Sequence, residues 1–155
     1  MLMLIFYVGE DLYALDCMQV VEVIPRVLFR KVHHAPHYVA GLFNYRGMIV
    51  PAIDLCHLIQ GQPSRSHLST RIVIVKYIGK DNVKRYLGLM AERITETLDR
   101  PNAGLDHHSS SDTDNAHPFL GEMLMDEKGM IQSIRLENLL SDSQYQYLLA
   151  AGNNK

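Results

Sequence analysis

The chain has 155 residues, and its eight histidines and two cysteines are the side chains that most readily suggest metal or nucleophile chemistry. His33, His34 and His37 stand close together in the sequence. A zinc site needs three or four side chains that converge on one point, and the adjacent His33 and His34 tend to point apart. No Cys-x-x-Cys or His-Glu-x-x-His pattern supports a metal site. We therefore expect solvated loop histidines with no metal or cofactor, and keep a metal-dependent enzyme as a minor alternative.

The two cysteines, Cys17 and Cys56, have no neighbouring pattern that marks a nucleophile, which needs a base and a group that orients the base. The first residues lack a basic region and a cleavage site typical of an export signal. In a chain without an export signal we expect both thiols to be reduced. Phosphate-loop and dinucleotide motifs are also missing from the sequence. We expect no catalytic residues and no enzyme activity.

The charge balance and hydropathy narrow the class of protein further. Fifteen basic and seventeen acidic residues give a net charge of -2, which does not favour a nucleic-acid partner. Apolar residues make up 47% of the chain, enough for a substantial core. No apolar run is long enough to cross a bilayer as a helix. We expect a cytoplasmic protein that does not insert into the membrane.

Short runs of β-branched and aromatic residues, separated by turn formers, predict a mainly β protein. Pro51 lies inside one of these runs and predicts an edge position or a bulge, because proline has no amide hydrogen to donate. The predicted strands cover residues 3–8, 12–15, 21–24, 48–53, 70–78, 83–90, 93–98, 119–126 and 130–134.

Short helices are predicted where a capping residue precedes an apolar turn. Pro36 and Gly41 are typical of the two ends of a helix over 36–40. Asp16, Asp54 and Ser141 are the predicted caps of helices over 17–20, 55–58 and 143–151, and a further helical stretch is predicted over 136–140. The polar segment 100–117 predicts a long mobile loop.

The segment from Phe6 to Leu58 resembles the CheW-like domain. In order, it contains Phe-Tyr-Val-Gly from Phe6, Tyr-Ala-Leu-Asp from Tyr13, an apolar run around Glu22, and Gly-Leu-Phe-Asn-Tyr-Arg-Gly-Met-Ile-Val-Pro-Ala-Ile-Asp-Leu from Gly41. The family motif reads Asn-Leu-Arg-Gly at the centre of that last run, and this chain has Tyr45 in place of the leucine. The second half matches more loosely, and 100–117 lies outside the resemblance.

The resemblance implies two small five-stranded SH3-like β-barrels, packed together as one CheW-like domain over 1–150, with short helices, a C-terminal helix and a tail at 151–155. It implies a non-catalytic adaptor that couples methyl-accepting chemoreceptors to a CheA-type histidine kinase. The partners would be the regulatory domain of the kinase and the cytoplasmic tip of the receptor, with the adaptor recruited to membrane receptor arrays. A coupling protein of a non-flagellar pathway, such as surface sensing or pilus motility, is the alternative.

The resemblance also points to a protein-binding surface around Arg46. It implies that Glu22 faces Arg46, either to shape the surface that binds the receptor or only to lock two segments together. Gly47 is expected to allow a positive φ or a close backbone approach. The apolar neighbours could pack in the core or bind a partner. The full set of protein-binding candidates is Val20, Glu22, Val23, Ile24, Phe43, Asn44, Tyr45, Arg46 and Gly47.

Overall fold

The computed structural model describes residues 2–65, 68–99 and 117–153. Within these ranges the strands form two sheets, and short helices lie between some of the strands and at the end of the chain. In chain order the elements are β1 (Leu2–Val8), β2 (Asp11–Asp16), β3 (Val20–Pro25), β4 (Val39–Tyr45), β5 (Met48–Asp54), α1 (Leu55–Gln60), β6 (Arg71–Ile78), β7 (Lys84–Ala91), β8 (Arg93–Asp99), β9 (Leu120–Asp126), β10 (Gly129–Ile134) and α2 (Asp142–Asn153).

The first sheet has the strand order β8-β1-β2-β10-β9. Its neighbours pair antiparallel, except for β2 and β10, which run parallel. Alternate side chains of its strands form a small core of their own, because successive residues of a strand point to opposite faces. That core consists of Met3, Ile5, Leu12, Ala14, Leu124 and Ile131.

The second sheet has the strand order β3-β6-β7-β5-β4. It repeats the scheme of the first sheet, with one parallel pair, β5 and β7, among antiparallel neighbours. It too has its own core, made by Phe43, Tyr45, Val50, Ala52, Ile72, Ile74 and Met90. Its two outer strands, β3 and β4, contain the candidate binding residues apart from Arg46 and Gly47, which form the turn after β4.

A third and larger core takes side chains from both sheets. Phe6 and Leu15 of the first sheet join Val73 and Leu87 of the second sheet in this cluster. Leu148 of α2 is buried against the same cluster. Two five-stranded sheets, each with its own core and joined through a shared apolar layer, confirm the predicted mainly β architecture.

The prediction of a helix over 36–40 is wrong. Val39 and Ala40 already belong to β4, and residues before them form turns. Gly41 does not end a helix; it lies inside β4 with φ at 145°. A Cβ at Gly41 would lie 2.5 Å from the carbonyl oxygen of Arg30. The glycine is there because another backbone segment passes close by, as Arg30 and Leu42 exchange hydrogen bonds of 2.7 and 2.8 Å.

The prediction of an edge position or a bulge at Pro51 is wrong. Strand β5 lies between β4 and β7, so it is not an edge strand. Pro51 pairs with Leu42 of β4, whereas the parallel ladder to β7 runs only from Ala52 to Asp54. Pro51 therefore lies one residue before the parallel pairing of β5 with β7, where a residue without an amide hydrogen would leave a strand hydrogen bond unformed.

The predicted caps of α1 and α2 are confirmed. The Asp54 carboxylate accepts the amide hydrogens of Cys56 and His57, and Gly61 ends α1 in the left-handed region. Ser141 and Gln144 bond reciprocally at the start of α2. Helix α2 continues to Asn153, two residues beyond the predicted end. Apart from His117, the predicted loop at 100–117 lies outside the described residues.

Candidate functional site

Glu22 and Arg46 form the predicted ion pair, with Nη2 of the arginine 3.0 Å from Oε2 of the glutamate. The hydroxyl of Tyr45 donates a hydrogen bond to the same Oε2. Glu22 lies in β3 and Tyr45 ends β4, so the contact joins the two outer strands of the second sheet. The side chains of Glu22, Tyr45 and Arg46 are called here the Glu22 corner. They link the two outer strands of the second sheet.

The turn between β4 and β5 fixes the position of Arg46. Arg46 and Gly47 have φ values of 49° and 87°, and these positive angles are those of a type I′ hairpin turn. Oδ1 of the Asn44 side chain accepts the Gly47 amide hydrogen at 2.8 Å and so supports the turn. Gly47 therefore meets the expectation of a positive φ, and Asn44, although exposed, has a structural contact.

The Glu22 corner combines an exposed cation, Arg46, with a carboxylate that accepts two hydrogen bonds. The side chain of Arg46 is 71% exposed and that of Glu22 is 37% exposed. The Arg46 guanidinium also lies 5.3 Å from the centre of the Tyr45 ring. The hydrogen bond to Glu22 raises the pKa of the Tyr45 phenol above its ordinary value, with burial adding to the rise. The phenol stays protonated at neutral pH and keeps donating to Glu22.

The apolar candidates of β3 divide between core and surface. Val20 and Ile24 are partly buried and pack against the cores. Val23 is 41% exposed, and its neighbour Val21, which the sequence reasoning did not single out, is 39% exposed. The pairing of β3 with β6 shifts register between Val20 and Glu22, at Val21. The two valines precede and follow Glu22 in this outer strand, and both expose apolar surface.

Phe43 packs in the core, which is one of the two positions that the sequence left open for it. It is 6% exposed and meets Phe29 edge-on, with ring centres 5.8 Å apart. A Cβ at Gly88 of β7 would come within 2.8 Å of its ring. Strand alternation puts Phe43 on the inner face together with Tyr45, so only the hydroxyl of Tyr45 reaches the carboxylate at the surface.

An apolar groove adjoins the Arg46 turn, between β5, β7 and α2. Its volume is about 610 Å³, and Tyr86 and Leu149 are among the residues that line it. Three apolar residues of its rim are well exposed, namely Met48 at 40%, Ile49 at 43% and Val83 at 50%. Apolar surface with a polar rim is the usual form of a protein-binding site.

The family model of the CheW-like domain matches residues 2–144. The chain belongs to this family. Chemotaxis protein CheW of Helicobacter pylori is 24% identical over 135 residues, which cover 87% of this chain and 78% of that protein. Chemotaxis protein CheW of Klebsiella aerogenes is 33% identical over 95 residues, which cover 61% and 54% of the two chains. The crystal structure of the scaffolding protein TtCheW from Thermoanaerobacter tengcongensis matches with a TM-score of 0.71 at 26% identity, covering 87% of this chain and 84% of that one.

Membership of the CheW-like family makes the chain a non-catalytic chemotaxis coupling adaptor and not an enzyme. Its partners are of the kind that this family couples, chemoreceptors and a CheA kinase. The non-flagellar alternative is not favoured, since the relatives are chemotaxis proteins. Among the described residues, no helix is long and apolar enough to cross a membrane.

The histidines and cysteines within the described residues show no arrangement that suggests metal or nucleophile chemistry. His37 stacks on His57 with ring centres 5.9 Å apart. In the part of the chain that the structure describes, no three His, Cys, Asp or Glu side chains are grouped so that they could hold a metal. Cys17 and Cys56 are free thiols, and burial raises the pKa of both above the ordinary thiol value. Neither thiol is thus favoured as a thiolate nucleophile.

Sequence reasoning missed the buried cation Arg85, which is 4% exposed. Its guanidinium binds Asp81 at 2.5 Å and Asp142, the first residue of α2, at 3.0 Å. The sequence does contain an indication of this burial. Successive residues of a strand point to opposite faces, so Arg85 lies on the same face of β7 as the buried Leu87 and Leu89. This cluster ties α2, which lines the apolar groove, to the turn between β6 and β7.

Proposed function

We propose that the chain joins the cytoplasmic tip of a methyl-accepting chemoreceptor to the regulatory domain of a CheA-type histidine kinase, with a separate surface for each. The observation that carries the proposal is the exposed ion pair of Glu22 and Arg46, flanked by the exposed Val21 and Val23. It combines polar groups that fix orientation with apolar area that contributes affinity, as specific protein interfaces do.

The Glu22 corner is our candidate for the receptor site. One guanidinium nitrogen of Arg46 contacts Glu22, and the side chain is largely exposed. Arginine has five donors in a fixed plane, so Arg46 can hold Glu22 and still bind a partner carboxylate or carbonyl. Arginine is enriched among residues that dominate binding energy at interfaces. Tyr45 supports this role from inside the barrel by holding Glu22.

The apolar groove is our candidate for the kinase site. Its exposed rim residues Met48, Ile49 and Val83 would be covered by an apolar face of the regulatory domain. The groove starts at Gly47, directly after Arg46, so the two partners would meet at neighbouring positions. An adaptor that holds both at once raises their effective concentration and can pass a receptor change to the kinase.

The cellular arrangement and the domain boundaries follow as part of the same proposal. Because the large core takes residues from both sheets, we propose one folding domain over 1–150. Binding to receptor tips would place the protein on the cytoplasmic side, recruited to membrane receptor arrays.

Two variants test the two surfaces separately. We expect Arg46→Gly to weaken binding of a receptor cytoplasmic fragment and to leave kinase binding close to wild type, since glycine keeps the backbone of the turn. Ile49→Glu should do the reverse, because it places a charge on the apolar rim. Isothermal titration calorimetry with a purified receptor fragment and a purified kinase regulatory domain measures both affinities. Each variant serves as the control for the other.

The adaptor proposal fails if the wild-type chain retains neither partner at micromolar concentration. The assignment of surfaces fails if each variant weakens both partners equally while circular dichroism shows an intact fold. A loss of thermal stability in Arg46→Gly, with binding per folded molecule unchanged, would show that the ion pair only locks two strands together.

A further inference from the structure

Strands β5 and β7 pair along only part of their length. Their parallel ladder begins where Ala52 lies opposite Gly88. The preceding residues, 48–50 of β5 and 84–86 of β7, belong to the same two strands but are not paired with each other. They line the apolar groove, which has a volume of about 610 Å³. The groove is therefore an opening within the second sheet, where two neighbouring strands diverge.

Pro51 lies at the point where this ladder stops. Continued by two residues in the same register, the ladder would place Tyr86 opposite Val50. In a parallel ladder a carbonyl oxygen accepts the amide hydrogen of the residue that follows its opposite neighbour. The carbonyl oxygen of Tyr86 would then need the amide hydrogen of position 51, and proline has none. The next hydrogen bond of the ladder cannot form.

The turn before β5 sets the side to which position 51 faces. A two-residue turn joins β4 to β5, and the residues that flank such a turn, here Tyr45 and Met48, face each other with their backbone groups. Successive residues of a strand turn these groups to alternate sides. The backbone groups of Ile49 and Pro51 therefore face away from β4 and toward β7, as the register of the parallel ladder also requires.

The hydroxyl of Tyr145 in α2 takes the place of the missing amide. It donates a hydrogen bond of 2.8 Å to the carbonyl oxygen of Tyr86 and accepts the Tyr86 amide hydrogen at 3.3 Å. Tyr145 also lines the apolar groove. Its side chain is buried, and burial raises the pKa of the phenol above its ordinary value. The hydroxyl therefore stays protonated at neutral pH and keeps donating to Tyr86.

We propose that Pro51 and Tyr145 are positioning residues that hold the apolar groove open. Pro51 lacks the amide hydrogen that would extend the ladder, and Tyr145 occupies both backbone groups of Tyr86. Paired strands lie about 4.8 Å apart, so an extended ladder would bring 48–50 against 84–86 and close the groove. The effect on kinase binding rests on the proposed function, which assigns this groove to the kinase, whereas the effect on the ladder does not.

Nuclear magnetic resonance of the isotope-labelled full chain tests the effect on the ladder without any partner. Pro51→Ala supplies the missing amide hydrogen, and Tyr145→Phe removes the hydroxyl but keeps the ring. In the double variant we expect scalar coupling across a hydrogen bond between the amide nitrogen of position 51 and the carbonyl carbon of Tyr86. We expect no such coupling in Pro51→Ala alone. The proposal is overturned if the double variant lacks the coupling or if Pro51→Ala alone shows it.

Urea unfolding shows whether the amide of position 51 replaces the hydroxyl. Tyr145→Phe leaves the carbonyl oxygen of Tyr86 without this donor, so it should lower the urea midpoint. Adding Pro51→Ala should restore part of the loss. Losses that simply add in the double variant would overturn the proposal, because independent sites behave in that way. Tyr147→Phe, at an exposed tyrosine of the same helix, is the matched control and should leave the midpoint unchanged with either residue at position 51.

Titration with the purified kinase regulatory domain separates positioning from simple packing. The double variant should be more stable than Tyr145→Phe and yet bind about tenfold or more weakly than wild type, because its groove is closed. Equal affinity of the double variant and wild type would overturn the positioning role. If wild type itself does not bind, the assignment of the groove to the kinase is refuted, and the coupling at position 51 still decides whether Pro51 and Tyr145 keep the strands apart.

Discussion

The hydroxyl of Tyr45 donates to Oε2 of Glu22, the same oxygen that accepts a hydrogen bond from Arg46. Where the family motif has leucine, this chain therefore has a third member of the ion pair. Tyr45 is buried in the core of the second sheet and Arg46 is at the surface, so Glu22 is held from both sides. The Glu22 carboxylate thus accepts from a second side chain besides Arg46.

Tyr45→Phe removes this hydrogen bond and keeps the ring. We expect a modest loss of thermal stability, because Glu22 loses a donor but remains partly solvated. We also expect receptor binding to become more sensitive to salt, since Arg46 alone then orients the carboxylate at an exposed position. Thermal melts and titrations at low and high salt measure the two effects. Tyr147→Phe, at an exposed tyrosine of α2, is the control, and equal salt dependence in both variants would contradict the prediction.

Arg46 occupies a left-handed backbone conformation that glycine adopts more readily. Arg46→Gly relieves about 1 kcal/mol of backbone strain and loses an exposed ion pair of about 0.5 kcal/mol, so its stability should be close to wild type. Arg46→Ala loses the pair and keeps the strain, so it should be about 1 kcal/mol less stable than Arg46→Gly. Urea unfolding of the two variants gives the difference. A glycine variant less stable than the alanine variant would show that the turn does not carry this strain.

The resemblance to the family, which is strongest from Gly41 to Leu55, predicted both the fold and the pair of Glu22 and Arg46. The two-residue turn needs positive φ values, and Gly47 supplies one of them. The sequence could not show that Tyr45 reaches Glu22, since this contact depends on how the outer strands of the sheet meet. It is a tertiary relationship without a local signature.

The helix predicted over 36–40 failed for a related reason. Pro36 and Gly41 are typical of helix ends, but both also fit other backbone conformations. The bridge between Arg30 and Leu42 decides the outcome, because it draws Gly41 into β4 beside a second backbone segment. The motif left the choice between core and surface open for Phe43, because it gives the position of the residue in the chain and not the face of the strand on which it lies.

The buried Arg85 is expected to contribute strongly to stability. Arg85→Met keeps much of the side-chain volume but breaks the contacts to Asp81 and Asp142. Breaking a buried ion pair lowers the free energy of unfolding by about 3 kcal/mol at the lower end of the usual range. We expect this lower value because both carboxylates are partly exposed. Hydrogen exchange should quicken first in α2, which loses its anchor at Asp142. Lys84→Met on the exposed side of β7 is the control, and unchanged exchange in α2 would contradict the anchoring role.

Stability at acid pH should depend on Asp81. The hydrogen bonds from Arg85 lower the pKa of the Asp81 carboxyl below its ordinary value. An acid with a lower pKa in the folded state contributes stability above its unfolded pKa, about 3.9, and this contribution is lost as the pH falls through the folded pKa. Wild type should therefore lose more stability than Asp81→Asn as the pH is lowered below about 4. Chemical unfolding across this range measures the two slopes. If stability falls equally with pH in both proteins, Asp142 and not Asp81 is the main ion-pair partner of Arg85. Asp142, the first residue of α2, would then be the residue that attaches this helix to the sheet.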